Sequence, residues 1–160
     1  MKFVKFFFRI VAFGILCVIC LSCTLCAIWE GCYRIQEKKY YSDKNNFVSV
    51  TAVCVEIDTY SHYPDRYYLI VENMVYEKKG DCKFIDNMFN INEANSDILK
   101  EANVEEKLAP GKSFTFMSAP EYFGDGYKCP IVYLEVDGEV LLDFETGYKN
   151  LMKTYGVTIP

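Results

Sequence analysis

The chain has 160 residues, of which 51% are hydrophobic and 16% aromatic, a composition that supports a folded core and excludes a disordered tail. The first nine residues carry three basic side chains and no acid, whereas all 22 acidic residues follow from Glu30 onward against 14 basic ones, a difference of −8. Such an acidic region lacks the basic face that binding to phosphates requires. We therefore expect no nucleic-acid partner.

The N-terminal region has the length and composition of a membrane segment. Ile10 to Trp29 contains 20 residues without a charge, which as a helix rising about 1.5 Å per residue matches a hydrocarbon core of about 30 Å. Trp29 and Tyr33 stand where an aromatic belt at the membrane interface is expected. The predicted segments are a basic tail at 1–9, a transmembrane anchor at 10–29, a polar stalk at 30–46 and a β domain with a C-terminal helix at 47–160.

Three interpretations of the apolar segment remain open, and the lipid bilayer is its expected partner in the first. An uncleaved anchor fits the length best. A cleaved signal peptide would have small residues before the cut, at Thr24 and Cys26, but the run is long for one. A lipoprotein signal resembles the stretch from Cys20 to Cys23, in which the usual leucine is displaced by one position.

The orientation is predicted from basic residues on the two sides of the segment. Lys2, Lys5 and Arg9 favour a cytoplasmic N-terminus with the β domain outside the cell membrane. Basic residues between 34 and 44 follow the segment and leave the reverse orientation open.

The eight cysteines fall into two groups. Four recur at every third position inside the apolar run, where cysteine acts as a small hydrophobe and not as a cluster ligand. Outside the run, Cys82 and Cys129 both flank turns and form a possible disulfide, while Cys54 lies in a strand pattern. With one histidine and scattered thiols, we expect neither a metal site nor a cofactor.

The elements of the β domain follow from changes of hydrophobic period. Alternating β-branched residues predict strands at 47–57 and 67–71 around a loop at 58–66, and a third strand at 83–91. Helical spacing predicts a helix at 92–103, capped by Asn92.

The C-terminal part predicts further strands and a second helix. Strands are expected at 113–117, 131–136 and 139–144, with the last two joined by a turn at Asp137-Gly138. Apolar residues from Tyr148 to Tyr155 have helical spacing, and Gly156 can end that helix.

This order of elements is similar to that of the OB-fold over about 47–144, since one helix follows the third strand. The expected fold class is an N-terminal transmembrane α-helix followed by a mainly-β (α+β) domain, an OB-like small barrel with one inserted helix and a C-terminal helix. A sandwich or a half-open β-roll would fit the same pattern. The whole chain, including the segments 122–127 and 148–151, resembles uncharacterised small single-pass bacterial membrane proteins, a resemblance that implies no residue-level function.

Few residues predict catalysis. His62 is the only histidine, so a Ser-His-Asp or Cys-His device would have to use it, and it lies in a predicted loop. Asp143 and Glu145 lie two positions apart beside a strand end and could form a carboxylate pair, although solvated charges are commoner there. A small membrane-anchored hydrolase using these residues is the alternative function.

Tyrosine is the remaining signal, because all 13 tyrosines follow the apolar run. Two predicted loops collect aromatic side chains, which suit contact with a protein, peptide or glycan unless they merely cover the barrel ends. The candidate binding residues are Tyr60, Tyr63 and Tyr67 beside Tyr68 in the first loop, and Tyr122, Phe123 and Tyr127 in the second, 119–130, which is the preferred surface. The favoured function is a non-catalytic, membrane-anchored binding or assembly module of the cell envelope.

Overall fold

The structure is a computed structural model that describes residues 2–77, 83–120 and 129–159, with side chains of the N-terminal helix described at position 15 and from position 18 onward. That helix, α1, runs from Lys2 to Tyr41. The chain forms two compact units, Met1–Gln36 and Glu37–Pro160.

One stretch of α1 is long and apolar enough to cross a membrane. It spans Val18–Tyr41, 24 residues, and its most apolar window is entirely exposed. The hydroxyls of Ser22 and Thr24 donate to carbonyl oxygens four residues back, so these polar groups are satisfied inside the helix. By length and composition, α1 therefore fits a membrane anchor or a signal sequence.

The helix continues through most of the segment predicted as a polar stalk. α1 ends at Tyr41, whose side chain is 2% exposed within the second unit. A short 3₁₀ turn at Lys44–Asn46 follows, and the carboxylate of Asp43 caps it by accepting the Asn45 N–H at 2.9 Å.

Besides the end of α1, the described residues of the second unit form six strands and three α-helices. They are β1 (Val48–Tyr60), β2 (Tyr63–Tyr76), β3 (Met88–Asn90), α2 (Glu93–Glu101), α3 (Val104–Lys107), β4 (Ser113–Ser118), β5 (Cys129–Val136), β6 (Glu139–Leu142) and α4 (Phe144–Thr154).

The strands form a closed barrel. They are hydrogen-bonded in the order β3-β2-β1-β4-β5-β6, and β3 also pairs in parallel with β5 through Phe89–Cys129 and Asn90–Pro130. This last pairing closes β1 to β5 into a five-stranded mixed barrel and leaves β6 as a further strand on β5. The predicted OB-like α+β barrel, with a helix between β3 and β4 and a C-terminal helix, is confirmed.

Aromatic rings fill the barrel. Phe89 and Phe116 are fully buried with their ring centroids 4.7 Å apart. Phe84 packs edge to face on Phe89 at 5.2 Å, and Phe114 stacks on Phe116 at 5.4 Å. These tilted and stacked geometries are the favourable ones for aromatic pairs.

A buried amide joins α2, α4 and β5. Asn95 is fully buried, and its Nδ2 donates to the carbonyl oxygens of Gly147 at 3.1 Å and Ile131 at 3.4 Å. Its Oδ1 accepts a hydrogen bond from Nδ2 of Asn150 at 2.9 Å. Because each of these polar groups is paired, the amide fixes the two helices on the barrel at little desolvation cost.

Local signals in the sequence are confirmed at the helix cap and at the turn. Asn92 caps α2, since its Oδ1 accepts the N–H of Asn95 at 2.9 Å. Asp137 and Gly138 have φ values of 54° and 81°, the left-handed conformation that the turn between β5 and β6 requires.

The predicted loop at 58–66 is wrong. β1 extends to Tyr60, β2 begins at Tyr63, and these two residues pair across a two-residue turn, Ser61-His62. The third strand is shorter than predicted, because the carboxylate of Asp86 accepts the N–H groups of the two following residues at 2.8 and 3.2 Å and forms a turn before β3.

Gly147 is predicted to tolerate no side chain. A Cβ atom at this position would lie 2.1 Å from the carbonyl oxygen of Val132 and 2.8 Å from its carbon, and a backbone neighbour cannot swing away. Gly147→Ala should lower the free energy of unfolding by about 3 kcal/mol, measured by chemical denaturation followed by circular dichroism. Gly31→Ala, also helical but with no atom within 4 Å, is the matched control and should not destabilise. Equal stability of both variants would contradict this packing.

Candidate functional site

A long hairpin extends beyond the barrel. β4 pairs with β1 only over Val48–Val53, and β3 pairs with β2 only over Tyr68–Ile70. Beyond Val53, β1 continues to pair with β2: Glu56 to Thr59 lie opposite Ile70 to Tyr67, and Tyr60 lies opposite Tyr63 after a register shift that leaves 64–66 without a partner in β1. We call residues 55–66 the outer hairpin.

Two tyrosine rings lie together at the base of the outer hairpin. The rings of Tyr60 and Tyr68 have centroids 5.1 Å apart. Asp58 lies opposite Tyr68 in the register, and strand alternation places Glu56 and Tyr60 on the same face as Asp58. The hydroxyl of Tyr68 donates to Oε1 of Glu56 at 2.7 Å. We call Glu56, Asp58, Tyr60 and Tyr68 the tyrosine face.

The tip of the hairpin carries an exposed aromatic ring. Tyr63 is 59% exposed, and the guanidinium of Arg66 lies 5.1 Å from its ring centroid. Arg66 also forms an ion pair of 3.9 Å with Glu93 of α2. The guanidinium and the ring form a cation–π contact at a solvated position.

Tyr67 belongs to the core and not to the exposed surface. It is 3% exposed, its N–H donates to Oγ of Ser96 at 2.9 Å, and its hydroxyl donates to Oε1 of Glu105 at 2.6 Å. Of the first predicted aromatic loop, Tyr60 and Tyr63 therefore remain candidates for contact with a partner.

The second predicted aromatic loop lies outside the described residues, which exclude Tyr122, Phe123 and Tyr127. Cys82 lies outside them as well, while the side chain of Cys129 is 8% exposed at the start of β5. A disulfide between Cys82 and Cys129 stays a prediction.

The two neighbouring tyrosines are both harder to ionise than a free phenol, for different physical reasons. The hydrogen bond to Glu56 is the main cause that raises the pKa of Tyr68 to about 12. Burial is the main cause that raises the pKa of Tyr67 to about 12, with the hydrogen bond to Glu105 second. Both hydroxyls are therefore protonated donors at neutral pH.

The candidate catalytic residues do not come together. Asp143 caps α4, its Oδ1 accepts the N–H of Thr146 at 3.0 Å, and hydrogen bonds with Thr146 lower its carboxyl pKa. Glu145 forms an ion pair of 2.5 Å with Lys44, next to the start of β1. His62 occupies the turn after the other end of β1. The two carboxylates thus serve a helix cap and an ion pair, far along β1 from the imidazole.

Sequence reasoning missed the carboxylates of the tyrosine face. Glu56, Asp58 and Tyr60 recur at every second position, the period of one face of a strand. The predicted strand ended at position 57, so Asp58 and Tyr60 were assigned to a loop and the shared face was not recognised. Among the described residues, no group of three or more His, Cys, Asp or Glu side chains is placed to hold a metal ion.

Comparisons with protein-family models, with curated proteins and with solved structures gave no match.

The hydrogen bond in the tyrosine face predicts a site-specific titration. Glu56→Ala should lower the pKa of Tyr68 from about 12 toward 10, because it removes the main cause of the shift. Glu105→Ala should lower the pKa of Tyr67 less, because burial persists. NMR of ¹³C-labelled tyrosine measures both, and each variant is the control for the other. A Tyr68 pKa unchanged in Glu56→Ala would contradict the hydrogen bond.

Proposed function

We propose that this protein is a single-pass, membrane-anchored binding or assembly module of the cell envelope, whose outer hairpin contacts a protein or peptide partner. In this proposal α1 is the anchor, the N-terminus is cytoplasmic and the β domain lies outside. The role is contact and not catalysis.

The outer hairpin is the observation that supports contact. It extends beyond the pairings with β3 and β4 and presents Tyr63 at 59% exposure beside the guanidinium of Arg66. Tyrosine and arginine are enriched among the residues that dominate binding energy at interfaces, because each combines a broad apolar surface with hydrogen-bonding groups.

The position of this hairpin in the barrel gives further support by analogy of fold. In OB-folds, ligands bind near the connections between strands 1 and 2 and between strands 4 and 5. Here the first connection is the turn of the outer hairpin, and the second includes the predicted loop of Tyr122, Phe123 and Tyr127. Fold analogy does not choose a ligand, so a glycan remains the second candidate for this surface.

The anchor and its orientation rest on α1 and its flanks. The helix contains a stretch of membrane-crossing length, and three basic residues with no acid precede its apolar part. The hydrolase alternative has weaker support, because Asp143 and Glu145 are engaged in a cap and an ion pair.

Photo-cross-linking in intact cells tests the binding surface. A photoreactive amino acid at Tyr63 should form a discrete adduct with a partner, because this ring is exposed at the hairpin tip. The matched control is Val140 on β6, which is 50% exposed, and the same amino acid there should form no such adduct. Adducts of equal yield at both positions, or none at position 63, would contradict the proposal.

Thiol accessibility tests the orientation. Val140→Cys, in a chain with Cys32→Ser and Cys82→Ser, should react with a membrane-impermeant maleimide in intact cells. The buried Cys54 gives little background, because burial raises its thiol pKa to about 11. The same chain with Val140 retained is the control. Labelling that requires cell lysis would place the β domain inside and refute the orientation.

A further inference from the structure

Among the described residues, one edge of β1 has no neighbouring strand along the outer hairpin. β4 pairs with β1 as far as Val53. The N–H of Cys54 then donates to the carbonyl oxygen of Lys112 at 2.9 Å, and the N–H of Gly111 donates to the carbonyl oxygen of Cys54 at 2.7 Å. From Glu56 to Tyr60, β1 pairs with β2 on one side, and no strand among the described residues pairs with the other. An open edge of this kind presents backbone N–H and C=O groups to an added strand.

The side chains along this edge are acidic and aromatic. Glu56 and Asp58 lie on the tyrosine face, and neither forms an ion pair with another described residue. The nearest cation of the hairpin, Arg66, is paired with Glu93. The region after the apolar run is acidic as a whole, so a cationic partner is favoured over an anionic one.

The aromatic rings complement a cation as well. The ring of Tyr60 lies 5.1 Å from that of Tyr68, and the hydroxyl of Tyr68 holds Glu56 in place. An ammonium or guanidinium group gains from a carboxylate and from the face of a tyrosine ring together. A neutral sugar would gain from the rings but would gain no charge attraction from the carboxylates of Glu56 and Asp58.

We infer that the open edge of β1 binds an extended peptide segment with lysine or arginine at alternate positions. This inference rests on the proposed function and specifies its partner. Alternate residues of a strand lie on one face about 7 Å apart, which is the repeat of Glu56 and Asp58 along β1. Opposite charges directly across an antiparallel pair stabilise it.

A second copy of this chain fits the edge poorly. Pairing β1 with β1 would bring Glu56 and Asp58 of both copies onto one small surface, and like charges across a strand pair destabilise it. The occupant is therefore a basic segment of another protein.

The test uses the full chain in nanodiscs of phosphatidylcholine, which has no net charge to attract the peptide. The probe is a dye-labelled peptide of alternating threonine and lysine with three lysines, and fluorescence anisotropy reports binding. Peptides with glutamate in place of lysine, or with the three lysines consecutive, are the peptide controls. Empty nanodiscs correct for binding to lipid.

The alternating lysine peptide should bind, and higher salt should weaken it. Glu56→Gln with Asp58→Asn should weaken binding about fivefold to tenfold, since two exposed charge contacts are lost. Tyr60→Leu should weaken it about threefold. The control is Glu101→Gln with Glu106→Gln, two exposed acids on α2 and α3 whose loss changes the net charge equally and should leave binding unchanged.

Each of the following results would overturn the inference. Equal binding of the consecutive-lysine peptide, or equal weakening by the Glu101 and Glu106 control, would show attraction by net charge alone. Displacement of the peptide by a neutral oligosaccharide, with unchanged sugar affinity in the Glu56 and Asp58 variant, would assign the surface to a glycan. Absence of peptide binding, with self-association of that variant, would show that the acids only protect the edge.

The outcome separates this inference from the proposed function. If the cellular adduct at Tyr63 persists in the Glu56→Gln, Asp58→Asn variant, the hairpin is a contact surface and the basic partner is wrong. If no adduct forms even in the wild-type background, the proposed function itself fails.

Discussion

The parallel pairing of β3 with β5 is the constraint on which the rest of the second unit depends. It involves only Phe89–Cys129 and Asn90–Pro130, yet it joins β3, at one end of the sheet, to β5 and so closes the barrel. The buried ring of Phe89 packs between Phe84 and Phe116 and so holds β3 in position to pair with β5. Closure pairs the edge of β3, while β6 pairs with β5 alone among the described strands. β1 and β2 are longer than the strands that flank them.

The two ends of β1 consequently have different roles. At its start, Lys44 pairs with Glu145 and lies 5.0 Å from the ring of Tyr148, whose hydroxyl donates to the carbonyl oxygen of Ser42 at 2.8 Å. These contacts hold the segment after α1 against α4. At its other end, β1 pairs with β2 alone among the described strands, and Glu56 and Asp58 are exposed beside the half-buried Tyr60 and Tyr68. The start of β1 is thus held against the C-terminal helix, while its other end leaves exposed side chains that no described strand covers.

Short-range signals in the sequence predicted much of this fold. Local sequence patterns predicted the helix cap at Asn92, the turn at Asp137-Gly138 and the order of strands and helices. Each of these features depends on residues that are close in the chain, so it can be predicted without the tertiary structure. The sequence did not predict the full length of the hairpin, because it contains Pro64. Proline has no backbone N–H to donate, so it usually argues against a strand. Pro64 is tolerated here because it lies in a register shift, where it pairs with no residue of β1 and with no other described strand. The hydrogen bonds of Tyr68 with Glu56 and of Tyr67 with Glu105 could not be predicted from the sequence, because they depend on how the elements pack in the fold.

Hydrogen exchange of the β1 edge tests the central claim, that the outer hairpin is the contact surface. The backbone amides of 55–60 are compared in isolated native membranes and in purified protein in nanodiscs, with 139–142 of β6 as the internal reference. If the outer hairpin contacts a partner, exchange of 55–60 is slower in native membranes than in nanodiscs, while exchange of 139–142 is unchanged. Equal exchange of 55–60 in both preparations, or equal slowing of both segments, would contradict it.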